Sequence, residues 1–182
     1  MPQLAKPHED ASATGRKGRP GVPAIFVGLF ALASVSALTA PVRAASLSRS
    51  VDVDATPSQV WSLNGPFCSI SDWHPAVGSC TLDGNDPPTR TLVTRDGRTT
   101  FVEPQVARSD EAHVYAYTFK SSPFPVQHYI GTIRVVPGQG GGATVIWRGV
   151  YAPDPGREQE ANDDFAAIYE AGLAAIQARF AN

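Results

Sequence analysis

The chain has 182 residues, 42% of them hydrophobic, enough for one well-buried domain and too few for two, so a single domain with a tail is expected. Lysine and arginine number 15 against 17 aspartates and glutamates, a formal charge of −2. Without residues 1–44 the remainder holds ten basic and fifteen acidic residues, a formal −5, which is the wrong sign for general nucleic-acid binding.

The tail reads as an export signal. Met1 to Gly21 is polar and basic at Arg16, Lys17 and Arg19, Val22 to Ala40 is apolar, and Pro41-Val42-Arg43-Ala44-Ala45 offers the small residues at which a signal peptidase would cut after Ala44. The expected organisation is a cleaved signal peptide over 1–44 and one domain over 45–182, in a periplasmic or secreted protein with no membrane span in its mature part. An uncleaved anchor is the competing reading, because the apolar run approaches the roughly 20 residues that a spanning helix needs.

In the mature part, Leu47, Arg49, Val51, Val53 and Ala55 alternate with polar residues and predict a strand. Thr56-Pro57-Ser58-Gln59 combines a cap, a proline at the first helical position and a glutamine three residues after the cap, so a short helix is expected over 57–63. Asn64-Gly65-Pro66 ends it. A second helical turn is expected over 67–71, stopped by Trp73-His74-Pro75 because the residue before proline is pushed out of the helical region.

Cys68 lies in that second turn and Cys80 in a short strand expected over 77–82. An oxidising compartment would let them pair, and with two thiols one pairing is possible. Two buried free thiols, or a metal site that includes His74, are the other readings, although structural metal sites usually take four ligands.

Thr89 to Arg95 and Arg98 to Val106 flank Asp96-Gly97, a two-residue hairpin signal. With Asp96 and Gly97 as the loop, Leu92 faces Phe101 and Arg90 faces Glu103, all four on one side of the sheet. If Leu92 and Phe101 are buried, Arg90 and Glu103 go in with them as a cross-strand ion pair. Such a pair costs several kcal/mol of desolvation per ion unless it is well bonded; a half-solvated pair at the open end of the sheet is the alternative.

His113, Tyr115, Tyr117 and Phe119 alternate on one face of the next predicted strand, over 112–121. Ser121-Ser122-Pro123-Phe124-Pro125 is a proline-stiffened loop whose Phe124, if exposed, is a candidate gate or partner-docking tip. The strand expected over 126–136 places Gln127, Tyr129, Gly131, Ile133 and Val135 together. Gly138-Gln139-Gly140-Gly141-Gly142 lacks the helix and Lys-Ser/Thr of a phosphate loop and reads as a hairpin turn. Val145, Trp147, Gly149 and Tyr151 share a face of the last predicted strand, over 143–151. From Glu158 onward Ala161, Phe165, Ile168, Tyr169, Gly172, Leu173, Ile176 and Phe180 recur at helical spacing, an amphipathic helix whose stripe must cover the sheet.

Several of these segments carry a family resemblance: Pro57-Ser58-Gln59-Val60-Trp61, Phe67-Cys68 with Asp72-Trp73-His74-Pro75, Arg90 to Gly97 with Glu103, Ser122-Pro123-Phe124-Pro125-Val126, Thr144-Val145-Ile146-Trp147 and Ile168-Tyr169-Glu170-Ala171-Gly172-Leu173. In this order they resemble the START-like, birch-pollen-allergen-like helix-grip (SRPBCC) superfamily, in its polyketide cyclase/dehydrase and lipid-transport branch, over about residues 46–180. The resemblance implies an α+β helix-grip fold: a curved antiparallel sheet of about seven strands, with two short helices, gripping a long C-terminal helix around a hydrophobic cavity. It also implies a lipid- or polyketide-like ligand, and it carries no shared catalytic motif.

Two functions follow as expectations. One is a binding module for a small hydrophobic molecule, with Trp73, Phe101, Tyr117, Phe124, Tyr129, Trp147, Phe165 and Tyr169 as walls and Arg90 with Glu103 as the polar anchor. The other is a cyclase- or dehydratase-like enzyme, with Glu103 as base and His74, Asp72 or His128 as alternates. Arg90 would lower the Glu103 pKa and weaken it as a base, and His74 reads as a loop residue bonded to backbone ahead of a catalyst. The three mature histidines show no metal-ligand spacing, and no cofactor is called for. Ligand identity and oligomeric state are not written in the sequence.

Overall fold

Seven strands form one antiparallel sheet in the order β1-β7-β6-β5-β4-β3-β2, in a computed structural model whose described residues are 44–181. Residues 1–43 of the predicted signal lie outside the described residues. The strands are β1 (Ala45–Val53), β2 (Val77–Leu82), β3 (Thr89–Thr94), β4 (Thr100–Ser109), β5 (Val114–Thr118), β6 (Val126–Pro137) and β7 (Ala143–Pro153). Helices α1 (Pro57–Asn64) and α2 (Ile70–Trp73) link β1 to β2, and α3 (Glu158–Arg179) closes the chain. From β2 to β7 the sheet is a meander; β1 pairs with β7, and α3 lies against β1 and β7.

Local chemistry explains the boundaries. Thr56 caps α1 in a reciprocal box with Gln59, and Pro57 takes the first helical position. The second helical segment starts later than expected, at Ile70, because residues 67–69 form turns, and it stops at Trp73 ahead of Pro75. Helix α3 buries Ala161, Phe165, Tyr169, Gly172, Leu173 and Ile176 and directs them at the sheet, while Ile168 and Phe180, the other two residues of the stripe read from the sequence, are half-buried.

The β3–β4 register is as derived, Arg90 facing Glu103 and Leu92 facing Phe101. The loop that sets it differs. Gly97 donates to the Thr94 carbonyl, Thr94 donates to that of Thr99, and Gly97 alone is left-handed, at φ 73°. A two-residue turn of the expected type needs positive φ at both central residues, so the hairpin closes through a wider loop over residues 95–98 with unchanged register.

A bulge displaces one predicted inward residue. The β6–β7 register shifts between Gln127 and Ile130, with His128 at φ 54°. The extra residue breaks the alternation, so Gln127 turns outward, donating to Asp154, while Tyr129 stays buried. Cys68 and Cys80 are joined in a disulfide with Cα atoms 5.5 Å apart, which removes the free-thiol and metal readings of those sulfurs.

Candidate functional site

Between α3 and the concave face lies a cavity of about 50 Å³ that opens to solvent. Its inner wall is built from buried Ile70, Leu92, Tyr117, Tyr129, Trp147, Phe165 and Tyr169, with Arg90, Glu103 and His74 as the ionisable members. Half-buried Ala76, Val93, Thr94, Phe101, Phe119, Phe124 and Ile168 ring its outer part.

Nine of the ten predicted wall and anchor residues therefore meet in one cavity; Trp73 does not, since it packs behind against Trp147 at 5.9 Å. Asp72 is exposed and outside the lining, because α2 turns that side of its single turn to solvent. His128 is exposed on the bulge, outside the cavity. Phe124 is half-buried rather than displayed: it packs edge-on against Phe101 at 5.3 Å and Phe165 at 5.1 Å, in the outer part of the cavity lining.

At the inner end, Arg90 Nε donates to Glu103 Oε2 at 2.6 Å and Nη1 donates to the Phe67 carbonyl at 2.6 Å. The guanidinium carbon stands 4.2 Å from the Phe67 ring centre and 4.8 Å from that of Tyr117, within cation–π range. Arg90 is 0% exposed and Glu103 4%, so the pair is buried rather than half-solvated. Among the described residues Arg90 Nη2 has no partner and no donor reaches Glu103 Oε1. Burial pushes the Glu103 carboxyl above its ordinary pKa, and Arg90 pulls it back only in part. The expected net lowering by Arg90 is thus outweighed by desolvation.

His74 has both ring nitrogens engaged. The Ala76 amide donates to Nδ1 at 3.1 Å, which puts the proton on Nε2, and Nε2 lies 3.0 Å from the Ile168 carbonyl of α3. Burial lowers its pKa, the Ile168 carbonyl opposes this, and the Arg90 charge adds to the lowering. A neutral imidazole with neither nitrogen free has no lone pair for base catalysis; this is the backbone-bonded arrangement. Gly172 permits it, since a Cβ there would stand 2.7 Å from His74 Cδ2.

A hydroxyl cluster in the wall escaped the sequence reading. Trp147 Nε1 donates to the Tyr117 hydroxyl at 3.0 Å, which lies 3.1 Å from that of Tyr129, itself 2.7 Å from that of Tyr169. Burial raises all three tyrosine pKa values, so the hydroxyls keep their protons at neutral pH. Gly131 and Gly149, paired across β6 and β7, leave room for them: a Cβ at Gly131 would stand 2.5 Å from Tyr117 Cζ, and one at Gly149 would stand 2.5 Å from the Tyr169 hydroxyl. Two opposed inward glycines in adjacent strands were the available signal, since glycine there marks a close approach.

Among the described residues no three His, Cys, Asp or Glu side chains gather as a metal site would need, and no helix is long and apolar enough to cross a membrane.

The family described as polyketide cyclase/dehydrase and lipid transport matches residues 44–181, and the chain belongs to it. Among solved structures it is similar to XoxI from Bacillus cereus, 34% identical over 75% of this chain and 95% of that one, with a TM-score of 0.71. A Thermobifida fusca protein is 32% identical over 74% of this chain and 92% of its own, at 0.67. The Zhui aromatase/cyclase from Streptomyces sp. R1128 is 15% identical with a TM-score of 0.62, a likeness of fold. No curated protein matches the sequence.

Proposed function

We propose that this chain is an exported protein that holds a small apolar or amphipathic molecule, lipid- or polyketide-like, in the cavity under α3. One observation carries the reading: a void walled by aromatic rings and floored by a buried ion pair whose Nη2 and Oε1 are unspent. Pockets for small molecules are largely apolar with a few convergent polar groups. Native mass spectrometry of protein from its own host should show a bound lipophile that denaturation releases. An empty protein that also shows no thermal shift with a panel of lipophiles would count against the reading.

Export is supported by the basic-apolar-small pattern of residues 1–44 and by the disulfide, which suits an oxidising space. Its test is the N-terminus of protein recovered outside the cytoplasm, expected near Ala45; full-length protein confined to the cytoplasm would contradict it.

A second reading is a cyclase- or dehydratase-like enzyme with Glu103 as base. What favours it is the raised carboxyl pKa together with the unengaged Oε1. Unaltered turnover in a Glu103→Gln variant would remove that residue from any mechanism.

A further inference from the structure

The tyrosine cluster holds one proton more than it can use. Three hydroxyls carry three protons, two of which span the Tyr117–Tyr129 and Tyr129–Tyr169 links; the third has no acceptor among the described residues. Trp147 Nε1 sets the direction, because an indole nitrogen donates and never accepts. A hydroxyl that accepts a hydrogen bond donates more strongly, which favours the order Trp147 to Tyr117, Tyr117 to Tyr129, and Tyr129 to Tyr169 over its reverse. The unspent proton then falls to Tyr169, a residue of α3 that is 1% exposed and lines the cavity. A buried donor without an acceptor is costly, and a bound molecule that supplies one relieves that cost.

We propose that the Tyr169 hydroxyl is the specificity-determining donor of the cavity, selecting apolar ligands that present an acceptor oxygen, a carbonyl or ether, toward α3 over hydrocarbons of the same shape. This rests on the reading of the cavity as a ligand site. The ring of Tyr169 is held for the task, stacked on Trp147 at 4.6 Å and 15°, while Gly149 beneath it leaves space for the hydroxyl.

The test compares 9-fluorenone with fluorene, which differ by a carbonyl against a methylene, on the wild-type protein and on Tyr169→Phe, which keeps the stacked ring. Affinities come from quenching of tryptophan fluorescence, and the carbonyl stretch of bound fluorenone is read by infrared spectroscopy. We expect the fluorenone-to-fluorene affinity ratio to fall by about tenfold in the variant. The carbonyl band should be lowered on binding to wild type and return toward its value in an apolar solvent in Tyr169→Phe. Fluorene binding to the variant shows that the cavity is still folded. An unshifted band in wild type, or a band equally shifted in both proteins, overturns the proposal. If wild type binds neither compound, the cavity reading itself fails and this inference falls with it.

Discussion

Replacing Arg90 with methionine isolates the buried pair. Glu103 then loses its ion-pair partner at 4% exposure, and the Phe67 carbonyl loses a donor at 2.6 Å. Removing one member of a buried pair costs about 3–5 kcal/mol, and an orphaned buried carbonyl adds about 1 kcal/mol. Methionine returns part of this by packing its chain against the same rings, so we expect R90M to lose about 4 kcal/mol of unfolding free energy in urea at about pH 7. Adding Glu103→Leu removes the orphaned charge, and the double variant should be more stable than R90M, since hydrophobic replacement of both members is often neutral.

Acidity gives a second axis to the same experiment. Burial already raises the Glu103 carboxyl, and without Arg90 it rises further. A carboxyl with its folded pKa above its unfolded value binds more protons when folded, so stability falls as pH rises through that window and returns as pH falls. The R90M deficit should therefore shrink from about pH 7 to about pH 5. A deficit under about 1 kcal/mol, of the size an exposed pair gives, or a double variant no more stable than R90M, would refute the buried, charge-paired reading.

Three further outcomes follow from the same geometry. His74, with its pKa lowered from 6.5, binds fewer protons folded than unfolded, so its contribution is complete above about pH 6.5 and is lost as pH falls below it; His74→Gln should flatten that part of the stability profile measured by thermal melting. Cys68→Ser opens a link across a sequence separation of 12 and should cost about 2–4 kcal/mol while ligand preference is unchanged; lost binding at undiminished stability would make the disulfide segment part of the site. Gly131→Ala forces a methyl to within 2.5 Å of Tyr117 Cζ and should destabilise by about 1–3 kcal/mol, seen as a lowered melting temperature; a neutral result would mean that the rings do not press on the sheet there.

Local signals with one structural solution were legible in advance. The cap at Thr56 placed α1, the helical stripe from Ala161 to Ile176 placed α3, and residues around Asp96-Gly97 put Arg90 opposite Glu103. That register survived a wrong turn type because loop residues were removed in pairs, leaving Thr94 opposite Thr99. The bulge at His128 was not legible: one inserted residue leaves no mark in an alternating pattern, yet it turns Gln127 outward. Nor were the hydroxyl contacts, which join residues 12, 30 and 40 positions apart on three strands and a helix. The sign of the Glu103 shift depended on how much water the fold removes, which pairing alone does not tell.

Strand β2 lies at one margin of the sheet, where backbone groups on its outer side are open to pairing with another chain. Its central residue Cys80 is bound covalently to Cys68, beside α2, while Leu82 near its end is 45% exposed. A margin strand fastened in this way cannot peel off to swap into a second molecule or to seed an intermolecular sheet. Reduction should therefore show itself in colloidal behaviour, as concentration-dependent light scattering on mild warming, at temperatures where the oxidised protein stays clear.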